Sequence, residues 1–316
     1  MNKVFRTGAT VVAALFGVLL FAGGSAGAGP ISTTPGYWLA GADGGVFAFS
    51  APFFGSGSVT TGSPPPCTFT PQAPSTLPGA DGCTAISAMA GGAGYWLLNG
   101  YRQPAPFGGA GFVGGHSGCT SLNGATGRWV GMASSLTGAG YWTVSSNGAV
   151  MGCGDAPPPF GGLTAETLSA PVVAMASTLD GQGYWLVSAD GGVVAFGDAL
   201  FAGSMGGLPL RAPVVGIAPT GDGRGYWLVA ADGGVFAFGD ARFQGSMAGE
   251  ALNAPVVGIA AVAAGQGYWL AAADGGVFAY GAATFQGSMA GKSLNAPIVG
   301  IAPVHGPSGC AAVGHC

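Results

Sequence analysis

Apolar and polar residues alternate over short stretches of this chain, and the stretches are separated by residues that favour turns. Such alternation is typical of half-buried β-strands. Asp232-Gly233 is a two-residue hairpin signal, since both positions tolerate a positive φ at low cost. Within residues 225–260 the pattern predicts four short strands, at Tyr226–Ala230, Val235–Phe238, around Phe243–Ser246 and at Val256–Ala260.

The same pattern returns at a nearly constant interval. The triplet GYW begins at positions 36, 94, 140, 183, 225 and 267, with steps of 58, 46, 43, 42 and 42 residues. Four antiparallel strands in roughly 40 to 45 residues match the size of a propeller blade. No segment of the chain after the leader sustains a helical period, and glycine is too frequent for stable helices. The sequence therefore predicts an all-β fold of repeated four-stranded blades.

The two ends of the repeat region complement each other. The first GYW strand, at Tyr37-Trp38, has no first strand before it, and Pro297–Ala302 is a first strand with no unit after it. Pairing them closes the ring and removes an exposed edge, whereas an open solenoid would need polar caps at both ends. We expect a six-bladed β-propeller whose closing blade is shared between N- and C-terminal strands. The six first strands begin near Ala85, Trp129, Pro171, Pro213, Pro255 and Pro297.

Four segments follow from this interpretation. Residues 1–28 resemble a secretory signal peptide, with a basic start at Lys3 and Arg6 and an apolar core at Ala9–Ala22. That core has 14 residues, fewer than the roughly 20 that a membrane helix needs, so cleavage is favoured over a retained anchor. The other segments are a short linker at 29–35, a propeller at 36–304 with an insertion at 56–83 in its first blade-to-blade link, and a Cys-containing tail at 305–316.

The charge of the chain excludes some partners. It has 8 basic and 12 acidic residues, and loss of Lys3 and Arg6 with the leader would leave 6 against 12, a net charge of about −6. This balance disfavours nucleic acid and anionic membrane surfaces. Only 6% of the residues are charged and 49% are hydrophobic, which is not a disordered composition. We expect a secreted or cell-envelope protein without an integral anchor.

Six cysteines in an exported chain favour disulfides over metal ligands or thiol catalysis. The number allows 15 pairings, of which we choose one by position along the chain. The expected pairs are Cys67–Cys83, which would close the insertion, Cys119–Cys153 and Cys310–Cys316. The tail also contains His305 and His315, but its spacing matches no closed zinc-finger pattern. We predict no metal and no cofactor.

Candidate binding residues lie in the loops expected on one face. That face would carry the hairpin turns, the blade-to-blade links and the insertion. A binding role competes with a turn role for each aspartate, because Asp-Gly is what a tight hairpin requires. Arg102 and His116 depart from the repeat and are not required by it. The candidate ligand-binding residues are Asp43, Asp190, Asp232, Asp274, Arg102, His116, Glu166 and, outside the loops, Trp129.

The aligned tryptophans allow two interpretations. They could stack on sugars, or they could fill the wedge between neighbouring blades, where aromatic burial contributes most to a core. The six are Trp38, Trp96, Trp142, Trp185, Trp227 and Trp269. Trp129 lies outside this pattern and is a freer candidate for surface contact.

The sequence segments GYWLVAADGGVFAFGDA and LNAPVVGIA resemble tandem repeats of exported actinobacterial proteins, some of which carry cell-wall hydrolase domains. The resemblance covers residues 36–304 and is most specific in the last three copies. It implies an extracellular or envelope setting and no catalytic residues. The repeats also have a looser likeness to kelch and quinone-binding propellers, from which we predict no cofactor for this chain.

Three functions are compatible with the sequence. The first is a non-catalytic binding module for an envelope glycan or a protein partner. The second is a hydrolase or lyase acting on carbohydrate, which needs polar and titratable side chains converging at the channel mouth. No catalytic residue can be named for it. The third is a purely structural or adhesive ring.

Overall fold

The structure is a computed structural model that describes residues 35–57, 67, 82–100, 104–113, 119–121, 127–163, 168–262 and 266–304. The predicted leader and the tail lie outside the described residues. None of the described residues forms a helix long and apolar enough to cross a membrane. The described chain is all-β, apart from one short 3-10 turn at Ala90–Gly92.

Nineteen strands follow one another along the described chain. They are β1 (Gly36–Gly41), β2 (Val46–Phe49), β3 (Cys83–Ala88), β4 (Gly94–Asn99), β5 (Ala105–Gly108), β6 (Thr120–Ser121), β7 (Trp129–Ser134), β8 (Tyr141–Ser145), β9 (Val150–Cys153), β10 (Val172–Ser177), β11 (Gly183–Ser188), β12 (Val193–Gly197), β13 (Val214–Pro219), β14 (Gly225–Ala230), β15 (Val235–Gly239), β16 (Val256–Ala261), β17 (Gly267–Ala272), β18 (Val277–Gly281) and β19 (Ile298–Val304).

These strands form six antiparallel sheets, one for each repeat. Five sheets have three strands, in the orders β3-β4-β5, β10-β11-β12, β13-β14-β15, β16-β17-β18 and β19-β1-β2. The sixth has the order β6-β9-β8-β7. We call the strands of each sheet first, middle and third, so that β13, β14 and β15 are one such set. In every sheet the middle strand is the GYW strand.

The two ends of the described chain meet in one sheet, as the sequence predicted. β19 pairs antiparallel with β1, with Leu39 opposite Ile301 and Tyr37 opposite Pro303. This pairing supplies the first strand that the Tyr37 strand lacks locally.

The first strands contact one another in a closed cyclic order. β3 contacts β7, and the contacts continue through β10, β13, β16 and β19 back to β3. This order gives a β-propeller-like arrangement of six sheets around a common centre.

The predicted fourth strand around Phe243–Ser246 is wrong, because these residues form no strand. The backbone of this segment is hydrogen-bonded by side chains of the neighbouring strands and not by another strand. The indole N–H of Trp227 donates to the Arg242 carbonyl at 2.9 Å. From the next sheet, Tyr268 donates its hydroxyl to the Gly245 carbonyl at 2.6 Å. We call this segment the rim segment, and it bridges two neighbouring sheets at their outer side.

The aligned tryptophans fill the spaces between sheets, which confirms the packing interpretation. All six are at most 1% exposed, so none of them presents a ring face to a sugar. Each contacts an aromatic residue of the next sheet, as Trp227 does with Tyr268 at a ring-centroid distance of 5.4 Å. Trp269 and Tyr37 form the same contact at 5.2 Å where the ends of the chain meet.

The glycine of GYW is required by a close approach of the backbone. A Cβ on Gly225 would lie 2.4 Å from the Phe238 carbonyl oxygen and 2.6 Å from Oδ1 of Asp240. Any side chain at this position would separate the middle strand from the third strand. This accounts for the glycine at the start of the triplet in every repeat.

Two disulfides are present, Cys67–Cys83 and Cys119–Cys153, with Cα–Cα distances of 5.1 and 4.3 Å. They are two of the three pairs chosen from the sequence, and the third, Cys310–Cys316, lies outside the described residues. The second bond attaches the short β6 to β9, the third strand of its sheet.

Replacement of Cys119 and Cys153 by alanine is expected to lower the free energy of unfolding by about 3 kcal/mol, because the bond restricts a long loop in the unfolded chain. Urea denaturation followed by tryptophan fluorescence measures the change. Adding reductant to the variant should then produce a smaller further loss than adding it to the wild type. An unchanged midpoint in the double variant would contradict this prediction.

Candidate functional site

A cavity of about 370 Å³ opens at the centre of the six sheets. Its floor is formed by one apolar side chain from the same position of every first strand. These side chains are 6–8% exposed, and each belongs to the apolar cluster of a different pair of sheets. They are Ile86, Met132, Met175, Ile217, Ile259 and Ile301.

The cavity exists because the next inward-facing position carries small or compact residues. Side chains two residues apart on a strand point to the same side, so this layer lies directly above the floor. Serine and alanine leave room that the larger floor side chains do not. The layer consists of Ala88, Ser134, Ser177, Pro219, Ala261 and Pro303.

The described part of the cavity mouth differs from sheet to sheet. Above Ser134 and Ser177 lie Leu136 and Leu179, which are 40% and 52% exposed. At the equivalent position of the β13 sheet stands Gly221. The Ser134 hydroxyl donates its hydrogen to the Ser135 carbonyl at 2.9 Å, so toward a ligand it can act as an acceptor through its lone pairs. The mouth therefore presents exposed leucines beside hydroxyl groups at the β7 and β10 sheets, and a glycine at the β13 sheet.

The chemistry of the described lining is apolar with hydroxyl groups. No titratable side chain lines the cavity within the part of the chain that the structure describes. The polar side chains there are Ser87, Ser134, Ser135, Ser177, Thr178 and Thr220. Such a surface can hold an apolar group and orient it through one or two hydrogen bonds.

The aspartates of the Asp-Gly turns lie at the opposite end of the first strands. The β13 strand begins beside such a turn, where the Val214 N–H donates to the Ala189 carbonyl at 2.9 Å. It ends at Pro219, which lines the cavity. The cavity therefore opens on the face away from the predicted loop face.

Each of these four aspartates holds its own turn. Oδ1 of the aspartate accepts the N–H of the glycine two residues later at 2.9–3.0 Å in every case. The hydrogen bond from the Ser188 hydroxyl lowers the pKa of Asp190; burial opposes this change, and the Gly192 N–H adds a smaller lowering. The four are Asp43, Asp190, Asp232 and Asp274, one to a sheet, and they do not converge on a common point.

The remaining predicted residues have separate outcomes. Trp129 begins β7, is partly buried, and packs against the apolar cluster around Trp96, and its binding role stays a prediction. Arg102, His116 and Glu166 lie outside the described residues, and their binding role stays a prediction.

The structure brings together two carboxylate pairs that the sequence interpretation missed. In one, the Thr220 hydroxyl bonds Oδ1 of Asp222 at 2.8 Å and Oδ1 of Asp240 at 3.0 Å. Thr178, Asp180 and Asp198 repeat this cluster one sheet earlier. Both clusters lie at the cavity end of their sheets, where the link after the first strand meets the residue that follows the third strand. The signal was present as a threonine followed by aspartates 2 and 20 residues later, at 178 and at 220.

The two carboxyls of each pair titrate differently. Burial and the adjacent Asp180 raise the pKa of Asp198. At Asp180 burial alone would raise the pKa. Hydrogen bonds from Thr178, from the Gln182 N–H and from Asp198 outweigh it, so the pKa is lowered. In the second pair, the pKa of Asp240 is likewise raised and the pKa of Asp222 is lowered. One proton is therefore retained between the two oxygen atoms to a higher pH than for an isolated aspartate.

We expect Asp198→Asn and Asp240→Asn to stabilise the protein at neutral pH. Asn keeps a donor toward the partner carboxylate and removes the repulsion between like charges. Because the pKa of Asp198 and Asp240 is raised on folding, their favourable contribution is complete below the ordinary value of 3.8 and is lost as the pH rises through the folded value. The double variant should gain about 0.5 kcal/mol at pH 7, the size of an exposed pair.

Thermal melts across a pH series test this expectation. The gain over the wild type should shrink as the pH falls, since the acid side chains then carry the proton themselves. Asp232→Asn is the matched control, because it keeps an acceptor for the Gly234 N–H and has no such partner among its hydrogen bonds. A gain independent of pH would contradict the carboxylate pairing.

Among the described residues no group of three or more His, Cys, Asp or Glu side chains is placed to hold a metal ion. A scan against protein-family models and a search of curated proteins found no match to this chain.

Proposed function

We propose that this protein is a closed six-bladed β-propeller that acts outside the cytoplasm as a binding module for a protein partner. The observation that carries the proposal is the central cavity, whose floor and small-residue wall fit one apolar side chain or chain end. Leu136 and Leu179, exposed at the mouth, would contact the residues on either side of the inserted group. A partner that buries its inserted group and both leucines removes apolar surface from water, which favours binding.

The geometry favours a protein over a glycan. Sugar recognition relies on exposed aromatic faces and on dense hydrogen-bonding groups, and no aromatic ring is among the described residues that line the cavity. An extracytoplasmic setting is supported by the two disulfides, since such bonds persist in oxidising compartments. The predicted leader and the resemblance to exported repeat proteins agree with this proposal.

Selection from a peptide-display library on the immobilised protein tests the function. We expect selected peptides to share an aromatic or large aliphatic residue. Ala261→Phe fills the cavity, and should weaken their binding at least tenfold, which corresponds to about 1.4 kcal/mol. The double variant Leu136→Ser with Leu179→Ser should weaken it as well.

Leu208→Ser is the matched control, because Leu208 is 55% exposed and lies on the opposite face, in the link that follows Met205. It should bind the selected peptides as the wild type does. Undiminished binding by Ala261→Phe, or loss of binding in Leu208→Ser, would argue against the cavity. Retention of Ala261→Phe on cell-wall polysaccharide would favour the glycan alternative.

A further inference from the structure

We infer that this protein associates with a second copy of itself, edge to edge, through the third strands β12, β15, β18 and β2. These strands end their sheets on the outer side, with no described strand beyond them. The inference does not depend on the central cavity, because the two surfaces lie at opposite radii of the sheets.

The backbone of one residue in each third strand faces outward. In the β14-β15 hairpin, the Ala230 N–H donates to the Gly234 carbonyl at 2.8 Å. Opposed residues in an antiparallel ladder alternate between bonded and non-bonded pairs. Counting from this bond, the Trp227–Ala237 pair is non-bonded. The N–H and C=O groups of Ala237 therefore point away from β14, toward the open edge.

The position equivalent to Ala237 in each of the other third strands is the residue that pairs with the aligned tryptophan of that sheet. The tryptophan of each middle strand stands opposite one residue of the third strand. These residues are Ala48, Pro106, Gly152, Ala195, Ala237 and Ala279.

Two of the six edges are protected at this position. In β5 it holds Pro106, which has no N–H and so cannot donate to an added strand. In β9 it holds Gly152, which already pairs with Thr120 of β6. The Cys119–Cys153 bond fixes that cover in place. The chain thus shows that an outer edge of this fold accepts another strand.

The other four edges have neither form of protection. Their sequences are VFAF, VVAFG, VFAFG and VFAYG, which contain no proline and no charge. Natural edge strands are usually kept apart by lysine, proline, bulges or a covering segment. Their sheets are consecutive, since the first strands β10, β13, β16 and β19 contact one another in that order. One continuous arc of the rim is therefore open.

Exposed phenylalanines lie in the rim segments of these four sheets, and also in that of the protected β5 sheet, where Phe112 is 67% exposed and follows the Gly111 carbonyl that Trp96 bonds. In the four open sheets each rim segment carries one immediately after the carbonyl that accepts the tryptophan N–H. Their side chains are 52–62% exposed. They are Phe53, Phe201, Phe243 and Phe285. In the protected β9 sheet the corresponding residue is Pro158, which follows the Pro157 carbonyl that Trp142 bonds.

A second copy is the occupant that this surface fits best. Two identical strands placed antiparallel satisfy each other's outward N–H and C=O groups, so the contact is self-complementary about a two-fold axis. The flanking phenylalanines of both copies would then meet and lose their exposure. The four strands themselves carry no charged side chain, so no like charges stand opposite each other within the paired strands.

Sedimentation equilibrium and light scattering of the purified oxidised protein test the inference. We expect the mean mass to rise above that of the monomer in a dilution series reaching about 0.5 mM, where weak interfaces are populated. A quadruple variant with proline at Ala48, Ala195, Ala237 and Ala279 should remain monomeric over the same series. Pro106 is the precedent that the fold accommodates this residue there.

Two further variants make the test specific to the edge. Glycine at the same four positions keeps the outward N–H groups, and should associate like the wild type. Pro106→Ala opens a fifth edge and should increase association. Circular dichroism and melting curves establish that each variant is folded. A wild-type protein that stays monomeric throughout, or a folded proline variant that associates as strongly as the wild type, overturns the inference.

Discussion

Removal of residues 297–316 is expected to destabilise the protein by about 5 kcal/mol or more. This deletion takes away β19, whose side chains Ile298, Ile301 and Val304 are 1%, 8% and 4% exposed. Burial of each such side chain contributes roughly 1.5–3 kcal/mol. The loss also exposes the β1 edge, because β19 is the strand that covers it.

The matched control is truncation after Gly306, which leaves β19 complete. It should lose at most the proposed Cys310–Cys316 bond. Thermal melts of the two truncated proteins and the full chain decide the question. Equal melting temperatures for both truncations would contradict closure of the ring by β19.

Replacement of Trp227 by alanine is the second large effect. The side chain is fully buried between two sheets and packs on Tyr268, so the cavity left behind should cost about 3–5 kcal/mol. It also leaves the Arg242 carbonyl without its indole donor. Chemical denaturation monitored by far-ultraviolet circular dichroism measures the loss.

Two other substitutions separate the contributions of Trp227. Trp227→Phe keeps much of the ring but removes the N–H donor, and should cost less than alanine. Trp129→Ala removes a partly buried tryptophan outside the repeated position, and we expect a smaller loss than at Trp227. If Trp129→Ala proved the more destabilising, tryptophan packing between sheets would not be the main stabilising contact.

The sequence predicted the repeat, the hairpins and the pairing of the two ends because each follows from local chemistry or counting. Asp232-Gly233 marks a turn, although only Gly233 takes a positive φ, of 78°, because the loop has three residues rather than two. Tyr37 lacks a first strand that only Pro297–Ala302 can supply. The fourth strand was wrong for a different reason. Whether Gly245 bonds to a strand or to a tyrosine hydroxyl depends on a residue of the next repeat, which propensity does not register.

The cavity was not predicted because the residues that form it carry no distinctive chemistry. Ala261 and Ser177 are common strand residues, and their significance comes only from lying above a layer of isoleucine and methionine. The turn aspartates attracted attention instead, although each one serves its own turn. The Asp180–Asp198 pair shows the converse, since the repeated spacing was visible but its spatial meaning required the hairpin register.

The shared sheet of β19 and β1 also affects the order in which the protein can fold. Tyr37 donates its hydroxyl to the Gly287 carbonyl, a contact between residues 250 positions apart. Closing a loop of that length costs about 1.6 kcal/mol more chain entropy than closing one of 42 residues. Sheets made within one repeat should therefore form first, and the joint between the ends should form last. A chain that leaves its site of synthesis from the N-terminus must keep the β1 edge uncovered until the final repeat has emerged.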